Sequence, residues 1–187
     1  MGNEIIERKR NTIYVEDDKV IKVLTANIAQ SRKIDYWLTV YDKLYAYDNR
    51  IVKIYDINDK TITMEKINYK YTLEYYMREF DPSYSHKKLN NYISQYMDIW
   101  NNFFQFSFTH LNDFYFFHTD YKLANVLVDE NDNLRLIDPD SFKVENLFGY
   151  IEPAMFIENL IRLTECRRFY KNDFYLDIDT GTWLPKN

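Results

Sequence analysis

The stretch His118-Thr119-Asp120-Tyr121-Lys122-Leu123-Ala124-Asn125 decides how this chain reads. With it goes Asp138, thirteen residues after Asn125 in the frame Leu134-Arg135-Leu136-Ile137-Asp138. The residue types and their spacing suit phosphoryl transfer. A hydroxyl acceptor needs a carboxylate beside it to orient it and take its proton, a role that fits Asp120. ATP brings clustered negative charge, so Mg²⁺ must bridge its phosphates. An amide oxygen and a second carboxylate can hold that ion, which fits Asn125 and Asp138. The turn Asp129-Glu130-Asn131-Asp132-Asn133 lies between two apolar runs, 126–128 and 134–137. It predicts a hairpin that returns Asp138 to the side of Asn125.

Outward from this core, residues 114–117 are a short aromatic strand that delivers His118. Before it, Leu89, Tyr92, Ile93, Tyr96, Met97, Trp100, Phe103 and Phe104 recur at three- and four-residue steps. That spacing predicts a long helix buried on one face. Asp81-Pro82-Ser83 separates it from a helical pattern over 69–80. Nearer the start, 11–15 and 20–24 read as a hairpin around Glu16-Asp17-Asp18-Lys19, and 51–55 with 61–66 as a second hairpin around Asn58-Asp59. Between them, Ile34, Trp37, Leu38, Tyr41, Leu44 and Tyr45 form the apolar stripe of a helix over 28–45. Downstream, 152–169 reads as a helix and 173–187 as an irregular tail. The order predicts an α+β chain, a single domain with a seam near residues 66–69.

Bulk composition narrows the function classes. The 187 residues suffice for one substantial core, and the net charge of −5 without any Lys/Arg block gives nucleic-acid binding no electrostatic support. One cysteine, Cys166, excludes an internal disulfide and fits a reducing, cytoplasmic setting. No apolar run approaches the length that spans a membrane, and the first residues lack the apolar segment of a signal peptide. With 18 Tyr and 13 Phe against 3 Gly, aromatic rings must supply much of the core. The abundance of Asn, Lys, Ile and Tyr points to an AT-rich genome, as in some bacterial viruses.

Residues 118–125, with Asp138, resemble the catalytic loop of the protein-kinase-like superfamily. The resemblance implies a two-lobed α+β fold: a reduced N-lobe over 1–67, an antiparallel sheet plus one helix, and a short helical C-lobe over 68–187 carrying the catalytic loop. It implies ATP and Mg²⁺ as cofactors, Asp120 and Lys122 as catalytic residues, and Asn125 and Asp138 as metal ligands. Lys122 stands where serine/threonine protein kinases carry a lysine that neutralises the transferred phosphate. Lys22, in Val20-Ile21-Lys22-Val23-Leu24, stands on the strand whose lysine contacts the α- and β-phosphates. The family pairs that lysine with a Glu on the next helix. Here no Glu occurs between Glu16 and Glu65, so Asp35 is the expected partner, with Asp42 second. Met64-Glu65-Lys66-Ile67 resembles the hinge, where the Glu65 carbonyl and Ile67 amide would meet the adenine edge.

The chain also departs from that pattern. Its glycines, Gly2, Gly149 and Gly181, cannot line a phosphate loop before residue 11, which leaves the charges of Arg8-Lys9-Arg10-Asn11 in that place. Asp138-Pro139-Asp140 replaces Asp-Phe-Gly. The proline restricts any flip of Asp138, and Asp140 is available as an additional metal acid. Thr119 stands where many protein kinases carry Arg. After Asp138 only 49 residues remain, few for a peptide-binding half. Lys122 favours a protein Ser/Thr acceptor, while the short C-terminal part favours a small molecule. The reading from a different class is a kinase-like binding or inhibitor protein that docks a partner with little catalysis.

Overall fold

The structure is a computed structural model and describes residues 4–8, 11–25, 34–79, 86–111, 114–146, 174–177 and 182–185. Strands β1 (Glu4–Arg8), β2 (Asn11–Val15), β3 (Lys19–Leu24), β4 (Ile54–Ile57) and β5 (Thr61–Glu65) form one antiparallel sheet in the order β1-β2-β3-β5-β4. Helix α1 (Ile34–Tyr47) lies between β3 and β4 in sequence. Both expected hairpins and the helix between them are therefore present. Strand β1 was not expected: it has two apolar residues among three charged ones, too weak an alternation to register.

Register decides which way Lys22 faces. Ile13 pairs with Lys22 on one side and Ile62 on the other. In a pleated sheet these three share a face. Ile62 is fully buried and Lys22 is 4% exposed, so the lysine points inward with the aliphatics.

Residues 69–80 divide rather than forming one helix. Strand β6 (Tyr69–Thr72) pairs with β8 (Val126–Asp129), and helix α2 (Leu73–Glu79) follows. Tyr-Lys-Tyr-Thr favours a pleated edge over a helical turn. Thr72 then ends the strand by capping the helix, its Oγ1 accepting the Tyr75 N–H at 3.1 Å. The long aromatic helix is α3 (His86–His110), followed by β7 (Phe114–His118), a 3₁₀ turn at Leu123–Asn125, β8 and β9 (Leu134–Leu136). A second 3₁₀ turn, Pro139–Ser141, leads into β10 (Phe142–Asn146), which pairs antiparallel with β7 and sets Phe142 opposite His118. Strands β11 (Phe174–Asp177) and β12 (Thr182–Pro185) form a hairpin where an irregular tail was expected. The aromatic residues Phe174, Tyr175 and Trp183 favour this pairing. Beyond residue 68 the described residues are thus only partly helical. The helix expected over 152–169 lies outside them.

One aromatic cluster joins the first half to the second. Trp37 stacks on Tyr41 at 5.1 Å, and Tyr41 meets Phe116 and Phe142 edge-on at 6.3 and 5.4 Å. Edge and offset geometries of this kind add to the area that the rings bury. Backbone bonds cross the same boundary. Val52 N–H donates to Leu136 O at 2.8 Å, Leu136 N–H donates to Arg50 O at 2.7 Å, and Ile51 bridges Leu136 in parallel. Tyr41 Oη donates to Val52 O at 2.6 Å, fixing α1 to that connection. Among the described residues no helix is long and apolar enough to cross a membrane.

Replacing Tyr41 by Phe keeps the ring and deletes the buried hydroxyl, leaving Val52 O short of a donor. Tyr41→Phe is expected to cost about 1–3 kcal/mol in urea unfolding. Tyr36→Phe, on an exposed ring of the same helix, should stay within about 0.5 kcal/mol.

Candidate active site

Strand β7 ends at His118, and the chain then turns through Thr119 and Asp120. The His118 ring is fully buried and uses both nitrogens. Nε2 lies 3.0 Å from Ile137 O and 3.1 Å from Asp138 O, so it carries the proton and donates to those carbonyls. Nδ1 accepts the Asp120 N–H at 3.2 Å. The imidazole therefore ties the turn bearing Asp120 to the turn bearing Asp138. Burial lowers its pKa to about 4, against the opposing pull of the Ile137 carbonyl and the nearby carboxylates, so it is neutral at pH 7.

The loop after it is held by its own polar groups. Asp120 Oδ2 accepts from Lys122 Nζ at 2.6 Å and from Asn125 Nδ2 at 2.9 Å. Asn125 Nδ2 also donates to Asp120 O at 2.9 Å, which fixes the amide and leaves Oδ1 as its oxygen for a cation. Ile137 N–H donates to Asn125 O at 3.0 Å, so the β8–β9 hairpin carries Asp138 back beside Asn125. Below the loop, Tyr121 Oη donates to Tyr96 O at 2.6 Å and Tyr96 Oη donates to Tyr121 O at 3.1 Å, anchoring it on α3. Asp120 and Lys122 stay open to an incoming group, with side chains 44% and 39% exposed.

Asp138 takes a left-handed backbone, φ 72° and ψ 56°, ahead of Pro139. Asp tolerates this region better than most residues, at a cost of about 1 kcal/mol. Ser141 holds the turn, its N–H donating to Asp138 O at 3.0 Å and its Oγ to Asp138 Oδ2 at 3.1 Å. From the sheet, Lys22 Nζ donates to Asp138 Oδ1 and, at 2.6 Å, to Asp140 Oδ1. Burial alone would lower the Lys22 pKa, but the two carboxylates outweigh it and hold the ammonium above its ordinary value. Burial alone would raise Asp138, but the Lys22 charge and hydrogen bond keep it below the usual carboxylate range. Asp140 is pushed up, by burial first and then by the Asp138 charge.

The structure thus gathers Lys22, Asp138 and Asp140 at one point and Asp120, Lys122 and Asn125 at a second, with His118 bonded to both turns. It does not pair Lys22 with Asp35. That expectation is corrected: Asp35 lies exposed in the first turn of α1, while two carboxylates beyond β9 come within direct reach of the inward-facing lysine. Glu65, at the end of β5, uses its carboxylate structurally, accepting from Arg135 and from Lys53 N–H at 2.7 Å. Ile67 follows it, half-buried against the core. Two anchors were not anticipated. Trp37 Nε1 donates to Phe142 O at 3.0 Å, tying α1 to the strand after Asp138, and the Glu65–Arg135 pair ties β5 to β9. Trp37 carried only an apolar signal in the sequence, and nothing local marked Arg135.

Arg8 pairs with Asn11, and residues 9 and 10, two of the four expected in place of a phosphate loop, lie outside the described residues. Among the described residues no three His, Cys, Asp or Glu side chains group as a metal site. The donors present are all oxygens: Asp138, Asp140 and the Asn125 amide. Such a sparse, hard set suits Mg²⁺, which completes its octahedron with water and phosphate oxygens.

No protein-family model matches the chain, and no curated protein matches it. Solved structures do. A structure of WbdD with a kinase inhibitor aligns with a TM-score of 0.50 at 17% identity, covering 84% of this chain and 36% of that one. A high-resolution WbdD structure gives 0.51 at 17% identity over the same shares. A third, of the bifunctional kinase-methyltransferase WbdD, gives 0.46 at 18% identity over 81% and 33%. The chain spans about a third of the length of these structures, and at this identity the likeness is one of fold.

The buried imidazole sets a pH dependence. Its folded pKa of about 4 lies below the ordinary 6.5. Between those values the unfolded chain binds a proton that the folded chain does not, so stability falls as pH drops through that window. The expected loss is about 3 kcal/mol, read as the difference in urea midpoints between pH 7 and pH 4. His118→Gln, which cannot titrate, should show a correspondingly shallower slope.

Proposed function

We propose that this chain is an ATP-dependent phosphotransferase with a two-lobed, protein-kinase-like fold, moving the γ-phosphoryl group to a hydroxyl, with Ser or Thr of a protein as acceptor. The observation that carries the reading is the meeting of Lys22, from the sheet, with the acids that follow β9, one hairpin away from the bonded set Asp120, Lys122 and Asn125. The WbdD likeness in fold supports it.

In this reading Asp120 orients the acceptor hydroxyl and takes its proton. Its hydrogen bonds from Lys122 and Asn125 hold it aimed. Lys122 neutralises the phosphoryl oxygens in passage and favours a protein acceptor. Lys22 contacts the α- and β-phosphates, and the Glu65 carbonyl and Ile67 amide bind the adenine edge. Asn125 Oδ1 and Asp138, helped by Asp140, would hold Mg²⁺, which would supply positive charge to offset that of the phosphates. The buried Lys22 and the apolar face around it exclude water from the phosphates.

A second reading, a kinase-like binding protein, is favoured by the sequence around Asn11, which has no glycine to line a phosphate loop. The two are separated by incubating the chain with radiolabelled ATP alone and with Ser- and Thr-containing proteins. Transfer is expected. Asp120→Asn should reduce turnover by about 10²–10⁴-fold while leaving Mg²⁺–ATP affinity nearly unchanged in calorimetry. Asp138→Asn should weaken Mg²⁺–ATP binding itself, and Asp35→Ala should change neither quantity. Wild-type turnover in either acid variant would sink the assignment, and no transfer at all would leave the binding reading.

A further inference from the structure

We propose that Lys22 and the metal ion compete for the same carboxylate oxygens, so that a divalent cation binds well only when nucleotide phosphates offer Lys22 another partner. The inference rests on the Mg²⁺–ATP reading above and adds a coupling between the two ligands. Lys22 Nζ lies on Oδ1 of Asp138 and, at 2.6 Å, on Oδ1 of Asp140. The second oxygen of Asp138 is already occupied by the Ser141 hydroxyl. A Mg²⁺ ion requires its oxygens at about 2.0–2.1 Å. Seated on these atoms, it would lie beside the ammonium, a repulsion between like charges that partial burial strengthens.

The lysine cannot retreat with its strand. β3 is hydrogen-bonded on both sides, to β2 and to β5, and Lys22 itself pairs with Ile13 and Ile62. Only its side chain can swing. With the side chain 5% exposed, water is a poor alternative partner. Phosphate oxygens entering the cleft are a good one, since a charge-assisted bond replaces the one given up. Lys22 then neutralises phosphate, the two acids become free for metal, and each ligand raises the affinity of the other by the same factor. The same geometry explains why Lys22 takes no acid partner from α1: Asp138 and Asp140 hold the lysine until the substrate takes it over.

The test uses Mn²⁺ as a paramagnetic probe, titrated into the full chain with and without a non-hydrolysable ATP analogue. In the wild type the analogue is expected to tighten Mn²⁺ binding by about tenfold or more. Lys22→Met should bind Mn²⁺ alone about tenfold more tightly than the wild type, and Lys22→Met with Asp140→Asn should lose that gain. Equal Mn²⁺ affinity of the wild type with and without a bound analogue would overturn the coupling. So would a folded Lys22→Met chain with no gain. Should Lys22→Met not fold, Asp140→Asn alone decides. It leaves one ammonium on one carboxylate, and an analogue-induced tightening as large as in the wild type would overturn the shared-oxygen argument. Failure of the analogue to bind in the presence of Mn²⁺ counts instead against the phosphotransferase reading. The metal-alone comparison between Lys22→Met and wild type stands apart from it.

Discussion

The neutral imidazole of His118 is the constraint on which the site depends. Its ring donates to the carbonyls of Ile137 and Asp138 and accepts from the amide of Asp120, so two turns 18 residues apart share one rigid plane. A protonated ring would lose the bond from Asp120, and a smaller residue would leave the left-handed turn at Asp138 without its main tether. The apolar packing serves this ring. Phe142, set opposite by the pairing of β7 with β10, meets it edge-on at 4.9 Å, and Tyr121 closes another side at 6.3 Å. Few partners other than carbonyls and an amide could satisfy an imidazole this deeply buried.

Helix α1 is attached to the site by a different route from the acid–lysine pair that the resemblance implies. The indole N–H of Trp37 reaches Phe142 O, and Tyr41 reaches Val52 O. These are neutral bonds inside an aromatic cluster. They fix the helix without spending a carboxylate, and they hold it against the strand that follows Asp138. The lysine left over by this arrangement turns to Asp138 and Asp140. The helix is thus held by aromatic residues, and the lysine by the two acids of the turn after β9.

Much of the fold was legible because periodicity was strong. The stripe from Leu89 to Phe103 has few polar interruptions, though Phe104 at its end is exposed, and β2 and β3 consist largely of β-branched residues around a charged turn. The loop 118–125 and its hairpin were legible because spacing alone places Asn125 near Asp138. What stayed hidden depended on contacts distant in sequence. Tyr69–Thr72 became a strand because β8 offered it an edge. Asp35 was a reasonable partner for Lys22 by order along the chain, but Lys22 and Asp138 stand 116 positions apart. Arg135 on Glu65 spans 70 residues, and no local pattern distinguishes it from any other strand arginine.

The short parallel bridge between Ile51 and Leu136 has a wider consequence. Through it the segment that leads into the edge strand β4 and the strand leading to Asp138 share backbone hydrogen bonds, reinforced by the ion pair of Glu65 with Arg135. Two halves joined only by a flexible link would open independently, each with its own free energy. Here the amides of Val52 and Leu136 can exchange with solvent only by an opening that disrupts both halves at once. The described sheet and the β8–β9 hairpin should therefore open together, with the slowest-exchanging protons tracing the seam between them rather than the middle of either.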